Sequence, residues 1–176
     1  MHLKKISVFI ILLFFILFCR TSFAASPRVY IRKFNNGHYQ LIVNKKPYLV
    51  KGVCYNPVPI GNNHEYDWWS DPLKPWLVDG KLMKDMGINT IRLYQSHEDI
   101  SEVKKVISDL YEQYGIRTVM GDWVGFWEYP CPLYGYKEFQ ERIKKQILDM
   151  VNQLKDEPGI LMWTLGNENN YSCLGR

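Results

Sequence analysis

The first apolar stretches of the chain are short and are separated by turn residues. Residues 28–33 and 39–43 have strand length and are joined through Asn35-Asn36-Gly37, a sequence typical of a β-hairpin turn. Residues 44–47 turn the chain again, and residues 48–54 then form a mostly apolar run of strand length. The pattern therefore predicts a hairpin followed by a first buried strand.

After a long loop, segments with helical spacing alternate with apolar runs of strand length. Apolar residues that recur every three or four positions predict helices over residues 76–86, 100–114 and 139–154. Gly87, Gly115 and the pair Pro158-Gly159 are placed to end these helices. An apolar run follows each helix, at residues 88–94, 116–121 and 160–165. The predicted order is strand, helix, strand, helix, strand, helix, strand.

This alternation indicates an α/β fold with parallel strands and crossover helices. A Rossmann sheet has the same order, but it needs a glycine-rich phosphate turn after its first strand, and Gly52-Val-Cys-Tyr-Asn-Pro57 is not one. The loops at residues 55–75 and 122–136 are long and aromatic, whereas the returns from helix to strand are minimal. This asymmetry favours the first four β/α units of a (β/α)8 TIM barrel, left incomplete, over residues 48–176. Residues 25–47 form the preceding hairpin.

The first 24 residues differ from the rest of the chain. Lys4 and Lys5 precede an uninterrupted apolar run over residues 6–18, and Ser22-Phe23-Ala24 supplies small residues at the spacing of a cleavage site. This is the pattern of a secretory signal peptide, and the apolar run is shorter than the roughly 20 residues of a membrane span. We expect a secreted or periplasmic protein without stable membrane insertion after cleavage. An uncleaved membrane anchor is the alternative.

Charge and cysteine content exclude several classes of function. The net charge of +4 falls to +1 when residues 1–24 are removed, because they hold three basic residues and no acidic ones. A nearly neutral chain lacks the concentrated basic face that nucleic-acid binding requires. No cluster of potential ligands has the spacing of a metal site, and no cofactor is expected. Cys54 is expected to be a small buried apolar residue or one half of a disulfide.

A carboxylic acid follows the last predicted strand, where barrel side chains reach the functional face. Glu157-Pro-Gly-Ile-Leu-Met-Trp-Thr-Leu-Gly-Asn-Glu168 resembles the fourth-strand motif of clan A glycoside hydrolases, above all that of family 2. The resemblance implies that Glu168 is the catalytic acid/base and that Asn167 binds the sugar 2-hydroxyl. A structural loop or capping carboxylate is the other interpretation of Glu168.

Two earlier strands also resemble this clan. Met86-Gly-Ile-Asn-Thr-Ile-Arg-Leu-Tyr94 is similar to its second-strand motif, whose arginine, here Arg92, steadies the nucleophile carboxylate. Alternation along a strand places Thr90, Arg92 and Tyr94 on one face and Ile91 and Leu93 on the other. Lys51-Gly-Val-Cys-Tyr-Asn-Pro57 instead resembles a segment of fungal β-1,3-glucanosyltransferases. The family within the clan therefore stays open.

Aromatic residues make up 15% of the chain, and several lie in the long loops. Because flat aromatic faces pack well against the C–H faces of pyranose rings, we expect a carbohydrate partner. The candidates for substrate binding are the loop tryptophans and the residues at strand ends: Trp68, Trp69, Trp123, Trp127, Arg92, Tyr94, Asp122 and Asn167. Asp122 and Trp123 end the third strand and are predicted to line the pocket together. His97 is a further candidate, or a solvated loop histidine.

Retaining hydrolysis of an O-glycosidic bond needs a second carboxylate about 5 Å from the first. In clan A this nucleophile comes from the seventh strand, and Glu65, Glu98 and Glu128 lie in early loops that do not match it. We therefore expect glycosidase activity in the parent protein and none in this chain alone. The open sheet edges of four β/α units predict self-association. The alternatives are a non-catalytic carbohydrate-binding half-barrel and a β-glucanosyltransferase.

Export is tested by where the secreted chain begins. We predict that N-terminal sequencing of the secreted protein starts at Ala25. Replacing Ala24 with Lys should block processing, because the residue before the cut must be small, whereas Phe23→Leu should leave it intact. Recovery of an unprocessed Met1 in a membrane fraction would support the anchor instead.

Overall fold

The computed structural model describes residues 29–126 and 132–169. The predicted signal peptide, Trp127, Glu128, Cys131 and Cys173 lie outside these ranges. Within them, seven strands form two sheets, and three helices alternate with the strands of the second sheet. No helix in these ranges has both the length and the apolar character that crossing a membrane requires.

The N-terminal sheet has three antiparallel strands, one more than the predicted hairpin. Strand β1 (Val29–Lys33) pairs with β2 (Tyr39–Val43), as predicted, and β2 pairs with a short β3 (Lys46–Pro47). Asn44 and Lys45 have φ values of 51° and 64°, and two positive values in succession define a two-residue type I′ turn. The turn predicted over residues 44–47 is therefore limited to Asn44 and Lys45.

The second sheet contains four parallel strands in the order of the sequence. Its elements are β4 (Gly52–Cys54), α1 (Pro75–Asp85), β5 (Thr90–Leu93), α2 (Ile100–Tyr114), β6 (Arg117–Asp122), α3 (Lys137–Leu154) and β7 (Ile160–Leu165). The predicted α/β alternation is confirmed. Because all four strands run the same way, their carboxyl ends meet at one edge of the sheet.

The ends of the helices follow the local chemistry of the sequence. Asp99 Oδ1 accepts a hydrogen bond from Ser101 N at 2.8 Å and caps the start of α2. Gly115 ends the same helix with a φ of 69°, and Gly87 follows α1 with a φ of 78°. These left-handed glycines let the chain turn at once into the next strand, so the returns from helix to strand are short.

The main core lies between the parallel sheet and its helices. Ile91 and Leu93 are buried on this face, as the alternation along β5 predicts, and belong to the same apolar cluster as Trp76 of α1. Trp76 is fully buried, and its Nε1 donates to Asp109 Oδ2 at 3.0 Å. The polar atom of the indole is therefore satisfied within the core.

The N-terminal sheet packs against the parallel sheet near the amino ends of its strands. Val43 forms a second apolar cluster with Val119 and Leu161. Tyr48 donates its hydroxyl to the backbone oxygen of Asn89 at 2.8 Å, next to the start of β5. Burial raises the pKa of this hydroxyl. The small sheet thus packs against the amino ends of the parallel strands, opposite the edge where their carboxyl ends meet.

Gly80 marks a close approach between α1 and α2. A Cβ atom there would lie 2.6 Å from ring carbons of Tyr114 and 2.8 Å from Leu110 Cδ2. Tyr114 is not free to move aside, since its hydroxyl donates to the backbone oxygen of Leu77 at 2.8 Å. Only a residue without a Cβ atom fits here undistorted.

We predict that Gly80→Ala destabilises the fold. Overpacking costs about 1–3 kcal/mol, and the better helix propensity of alanine offsets at most about 1 kcal/mol. Urea denaturation followed by tryptophan fluorescence measures the change. Val78→Ala on the same helix, at a side chain 65% exposed, is the control and should stay within about 0.5 kcal/mol of wild type. A Gly80→Ala protein more stable than wild type would contradict the close approach.

Candidate functional site

A side-chain hydrogen bond joins the segments at the carboxyl ends of β5 and β7. Arg92 in β5 donates from Nη2 to Asn167 Oδ1 at 2.9 Å. Asn167 and Glu168 come just after β7. The bond therefore brings together the segment that carries the predicted catalytic acid and the strand that carries the arginine predicted to steady the nucleophile.

A tight turn after β7 presents Asn167 and Glu168. Gly166 N donates to the backbone oxygen of Asp122 at 2.7 Å, and Gly166 has a φ of 83°. Glu168 is exposed and also has a left-handed backbone, with a φ of 53°. That conformation costs a residue with a Cβ atom about 1–2 kcal/mol. Backbone strain of this kind is concentrated at functional sites.

Arg92, Tyr94 and Trp123 form a layered group near this turn. The guanidinium carbon of Arg92 lies 4.5 Å from the ring centroid of Tyr94, within the range of a cation–π interaction. Tyr94 stacks on Trp123 with centroids 5.3 Å apart and ring planes at 11°. Among the described residues, the buried Nε of Arg92 has no hydrogen-bond partner. The guanidinium is held from two sides, and its buried Nε is available to a further acceptor.

Cys54 is an exposed free thiol at the end of β4, which corrects the expectation of a buried or disulfide-bonded residue. It pairs in register with Arg92, so both side chains lie on the face of the sheet that is turned away from the helices. Tyr94 donates its hydroxyl to Cys54 Sγ at 3.1 Å. This hydrogen bond is the main cause that raises the pKa of Tyr94, with smaller contributions from burial and from the charge of Glu168.

A cleft of about 520 Å³ opens at the carboxyl ends of β4, β5 and β6, a volume typical of small-molecule sites. Its described lining is mostly aromatic and amide-bearing: Tyr55, Asn56, His64, Trp68, Trp69, Leu93, Tyr94, Gln95 and Trp123. Four of the predicted binding residues, Trp68, Trp69, Tyr94 and Trp123, meet here. Tyr94 connects the cleft with the turn that carries Glu168.

The two tryptophans of the first long loop are nearly covered. Trp68 and Trp69 are 3% and 6% exposed and stack with centroids 4.1 Å apart. Trp68 Nε1 donates to Asn56 Oδ1 at 2.9 Å. Each indole therefore presents only a small part of its surface to a ligand, whereas Trp123 is half-buried. Trp127 lies outside the described residues.

Asp122 lies on the other side of β6 from Trp123. Its Oδ2 accepts from Gln146 Nε2 of α3 at 2.8 Å, and its Oδ1 accepts from Val124 N at 2.7 Å. Adjacent residues of an extended chain point to opposite sides. The described lining of the cleft includes Trp123 and not Asp122, and both oxygens of Asp122 are bonded to α3 and to the following turn.

Four residues of the lining were not predicted from the sequence, namely Tyr55, Asn56, His64 and Gln95. Their one signal was position, since Tyr55 and Asn56 directly follow β4 and Gln95 follows β5 by two residues. His97 is not part of the described lining. Its Nε2 lies 3.5 Å from Asp67 Oδ1, so it contacts the preceding loop. Within residues 29–126 and 132–169, no three His, Cys, Asp or Glu side chains are grouped to hold a metal ion.

No family model matches the chain. A Formosa agariphila protein named as a candidate beta-glucuronidase is 28% identical over 131 residues, which cover 73% of this chain and 11% of that protein. The crystal structure of the Amycolatopsis orientalis exo-chitosanase CsxA matches with a TM-score of 0.51 at 21% identity, over 78% of this chain and 15% of that one. A structure of the exo-beta-D-glucosaminidase CsxA, from a study of its inhibition, matches with the same TM-score at 22% identity.

These relatives are all named for glycosidase activities, which supports a distant relation to glycoside hydrolases. At 21% and 22% identity, the two solved structures show a likeness of fold alone. The chain spans only 11% of the length of its sequence relative and 15% of that of the structural ones.

Tyr55, which lines the cleft, makes the stability of the folded chain depend on pH in the alkaline range. It is 8% exposed and donates its hydroxyl to Asp79 Oδ2 at 2.8 Å. Burial, and then the carboxylate of Asp79, raise the pKa of Tyr55 far above its ordinary value. A pKa that is higher in the folded than in the unfolded chain means that stability is complete below about pH 10 and falls as the pH rises further.

We predict that the free energy of unfolding decreases above about pH 10 by up to about 1.4 kcal/mol per pH unit through Tyr55. Tyr55→Phe should remove this part of the slope, and Tyr39→Phe, at a side chain 65% exposed, should retain it. Urea denaturation at a series of pH values from about 8 to 11.5 measures both. Identical slopes in wild type and Tyr55→Phe would show that Tyr55 ionises in the folded protein.

Proposed function

We propose that this chain carries the acid/base half of a retaining glycoside hydrolase that cleaves O-glycosidic bonds of an oligo- or polysaccharide. In this proposal Glu168 is the acid/base, and the four β/α units are the first half of a (β/α)8 barrel. The hydrogen bond from Arg92 to Asn167 is the observation that carries it. That bond places the Asn-Glu pair beside the arginine expected from the resemblance to clan A.

Asn167 is oriented to donate to a sugar hydroxyl. Its Oδ1 already accepts from Arg92, so the amide nitrogen of the same side chain points to a different partner. An amide N–H can hold the 2-hydroxyl of the sugar, and such bonds strengthen as the transition state forms. Arg92 therefore fixes which end of Asn167 meets the substrate.

Glu168 acts twice in the proposed reaction. In the first step its carboxyl proton moves to the glycosidic oxygen while the nucleophile carboxylate forms a bond to the anomeric carbon, and the leaving sugar departs as an alcohol. In the second step the Glu168 carboxylate removes a proton from water, whose oxygen displaces the nucleophile from the anomeric carbon. The configuration of the anomeric carbon is retained because it is inverted twice.

The nucleophile lies outside the four β/α units in this proposal, on a seventh strand. Arg92 has a buried Nε without a partner among the described residues, and a carboxylate is a suitable acceptor for it. Glu65 and Glu98 are exposed residues of the first two loops, and we assign them no part in catalysis. The chain alone is accordingly proposed to be inactive, and its open edges to self-associate.

A carbohydrate-binding half-barrel is the second candidate function. The observation that favours it is the aromatic cleft beside Tyr94, which is formed without any nucleophile. The similar proteins are named for activities on different sugars. One is named as a candidate beta-glucuronidase, and the others as an exo-chitosanase and an exo-beta-D-glucosaminidase. Export, with residues 1–24 as signal peptide and residues 25–47 as a separate hairpin region, is part of either proposal.

Replacement of Glu168 by Ala in the complete barrel tests the acid/base assignment. We expect cleavage of natural glycosides to fall by several orders of magnitude, since a sugar leaving group needs protonation. An aryl glycoside with a good leaving group needs little, so its covalent intermediate should form and accumulate. Added azide requires no general base and should restore turnover, releasing a glycosyl azide of retained configuration.

Glu98→Ala, at an exposed glutamate in the loop after β5, is the matched control and should keep wild-type rates. Steady-state rates with and without azide, together with NMR of the product, measure these outcomes. Near wild-type cleavage of natural glycosides by Glu168→Ala would make Glu168 a structural carboxylate. Sugar binding without turnover in the complete wild-type barrel would favour the binding protein.

A further inference from the structure

The cleft beside Tyr94 is unusual in its lack of charge. Its described lining contains no Asp, Glu, Lys or Arg side chain. The polar groups that face it are the amides of Asn56 and Gln95 and the ring of His64, among aromatic surfaces. A site of this composition offers hydrogen bonds to hydroxyl groups, and it offers no permanently charged group as an ion-pair partner.

We infer that this cleft takes an uncharged pyranose residue and discriminates against uronic acids and amino sugars. The inference rests on the proposed function, because it names the substrate class of the same site. An uncharged sugar can place its C–H surface on the aromatic lining and its hydroxyl groups against the amides. A carboxylate or ammonium group in the same place loses hydration without gaining a partner of opposite charge, which is costly.

Three charged groups contact residues of the cleft but are not themselves part of its described lining. Asp79 Oδ2 accepts a hydrogen bond from the hydroxyl group of Tyr55 at 2.8 Å. Asp67 Oδ1 lies 3.5 Å from Nε2 of His97. Arg92 donates to Asn167 at 2.9 Å and lies against the ring of Tyr94. Its buried Nε is assigned to the nucleophile carboxylate in the proposed function. Because none of the three lies in the described lining, none is a direct ion-pair partner for a sugar in the cleft.

The two amides can serve hydroxyl groups directly. Asn56 Oδ1 accepts from Trp68 Nε1 at 2.9 Å, so the Asn56 amide nitrogen is left to donate. Gln95 is exposed at the rim and can both donate and accept. A sugar hydroxyl is itself a donor and an acceptor, which suits this pair. Gln95 is also the position where a charge can be introduced with little disturbance of the fold.

A binding comparison on the Glu168→Ala chain tests the inference independently of turnover. The probes are the methyl β-glycosides of glucose, galactose and mannose, together with those of glucuronic acid and glucosamine, all at about pH 7, where an ordinary histidine is mostly neutral. Saturation-transfer NMR and calorimetry measure affinity, after near-UV circular dichroism has confirmed folded tryptophans. We expect at least one uncharged glycoside to bind about tenfold or more tightly than either charged one. In the complete wild-type barrel, kcat/KM should rank the same sugars in the same order.

Charge substitutions at the rim supply the second measurement. Gln95→Lys should raise affinity for the glucuronide several-fold, and Gln95→Glu should do the same for the glucosaminide. Gln113→Lys, at an exposed position of α2, is the matched control and should change neither. The inference would be overturned if the unsubstituted cleft bound a charged glycoside as tightly as the uncharged ones, or more tightly. It would also be overturned if the cleft bound none of the five glycosides. Since Glu168 is absent from the test protein, its outcome is separate from that of the acid/base assignment.

Discussion

The alternation of side chains along β5 is the constraint on which both the core and the candidate site depend. Ile91 and Leu93 are 0% and 1% exposed on the helix side, and Arg92 between them must therefore point the other way. A shift of one residue would turn the guanidinium into the apolar core, where an unpaired charge costs several kcal/mol. The burial of two aliphatic side chains thus also directs Arg92 towards Asn167.

A second constraint acts between β5 and β6. A Cβ atom on Gly121 would lie 2.6 Å from the backbone oxygen of Leu93 and 2.7 Å from that of Tyr94. The missing side chain lets the end of β6 lie close against the end of β5, and Tyr94 stacks on Trp123 directly beyond this point. The stacking of Tyr94 on Trp123 therefore depends on a glycine that is not part of the described lining, and a larger residue at position 121 would separate the two rings.

The parts of the fold that follow from local periodicity were predictable from the sequence. The helices and strands of the α/β region needed only the spacing of apolar residues, and Gly87 and Gly115 end their helices because a left-handed residue is required there. Strand β3 was missed because Asn44-Lys45 forms a turn in which asparagine and glycine are the usual pair. The burial of Trp68 and Trp69 depends on tertiary packing around the loop, and no pattern within the loop itself encodes that burial.

Glu168 combines an exposed side chain with a constrained, left-handed backbone. Proton transfer, the role proposed for it, needs a carboxyl group that a sugar oxygen and water can both reach. An exposed group of this kind is not positioned by burial. Its placement comes instead from its neighbours: Gly166 is bonded to Asp122 through the backbone, and Asn167 is bonded to Arg92. The left-handed conformation of Glu168 is tolerated because these two bonds determine the path of the chain before it. The fixed part of this turn is thus the backbone before Glu168, and the exposed carboxyl group is the part that a ligand can reach.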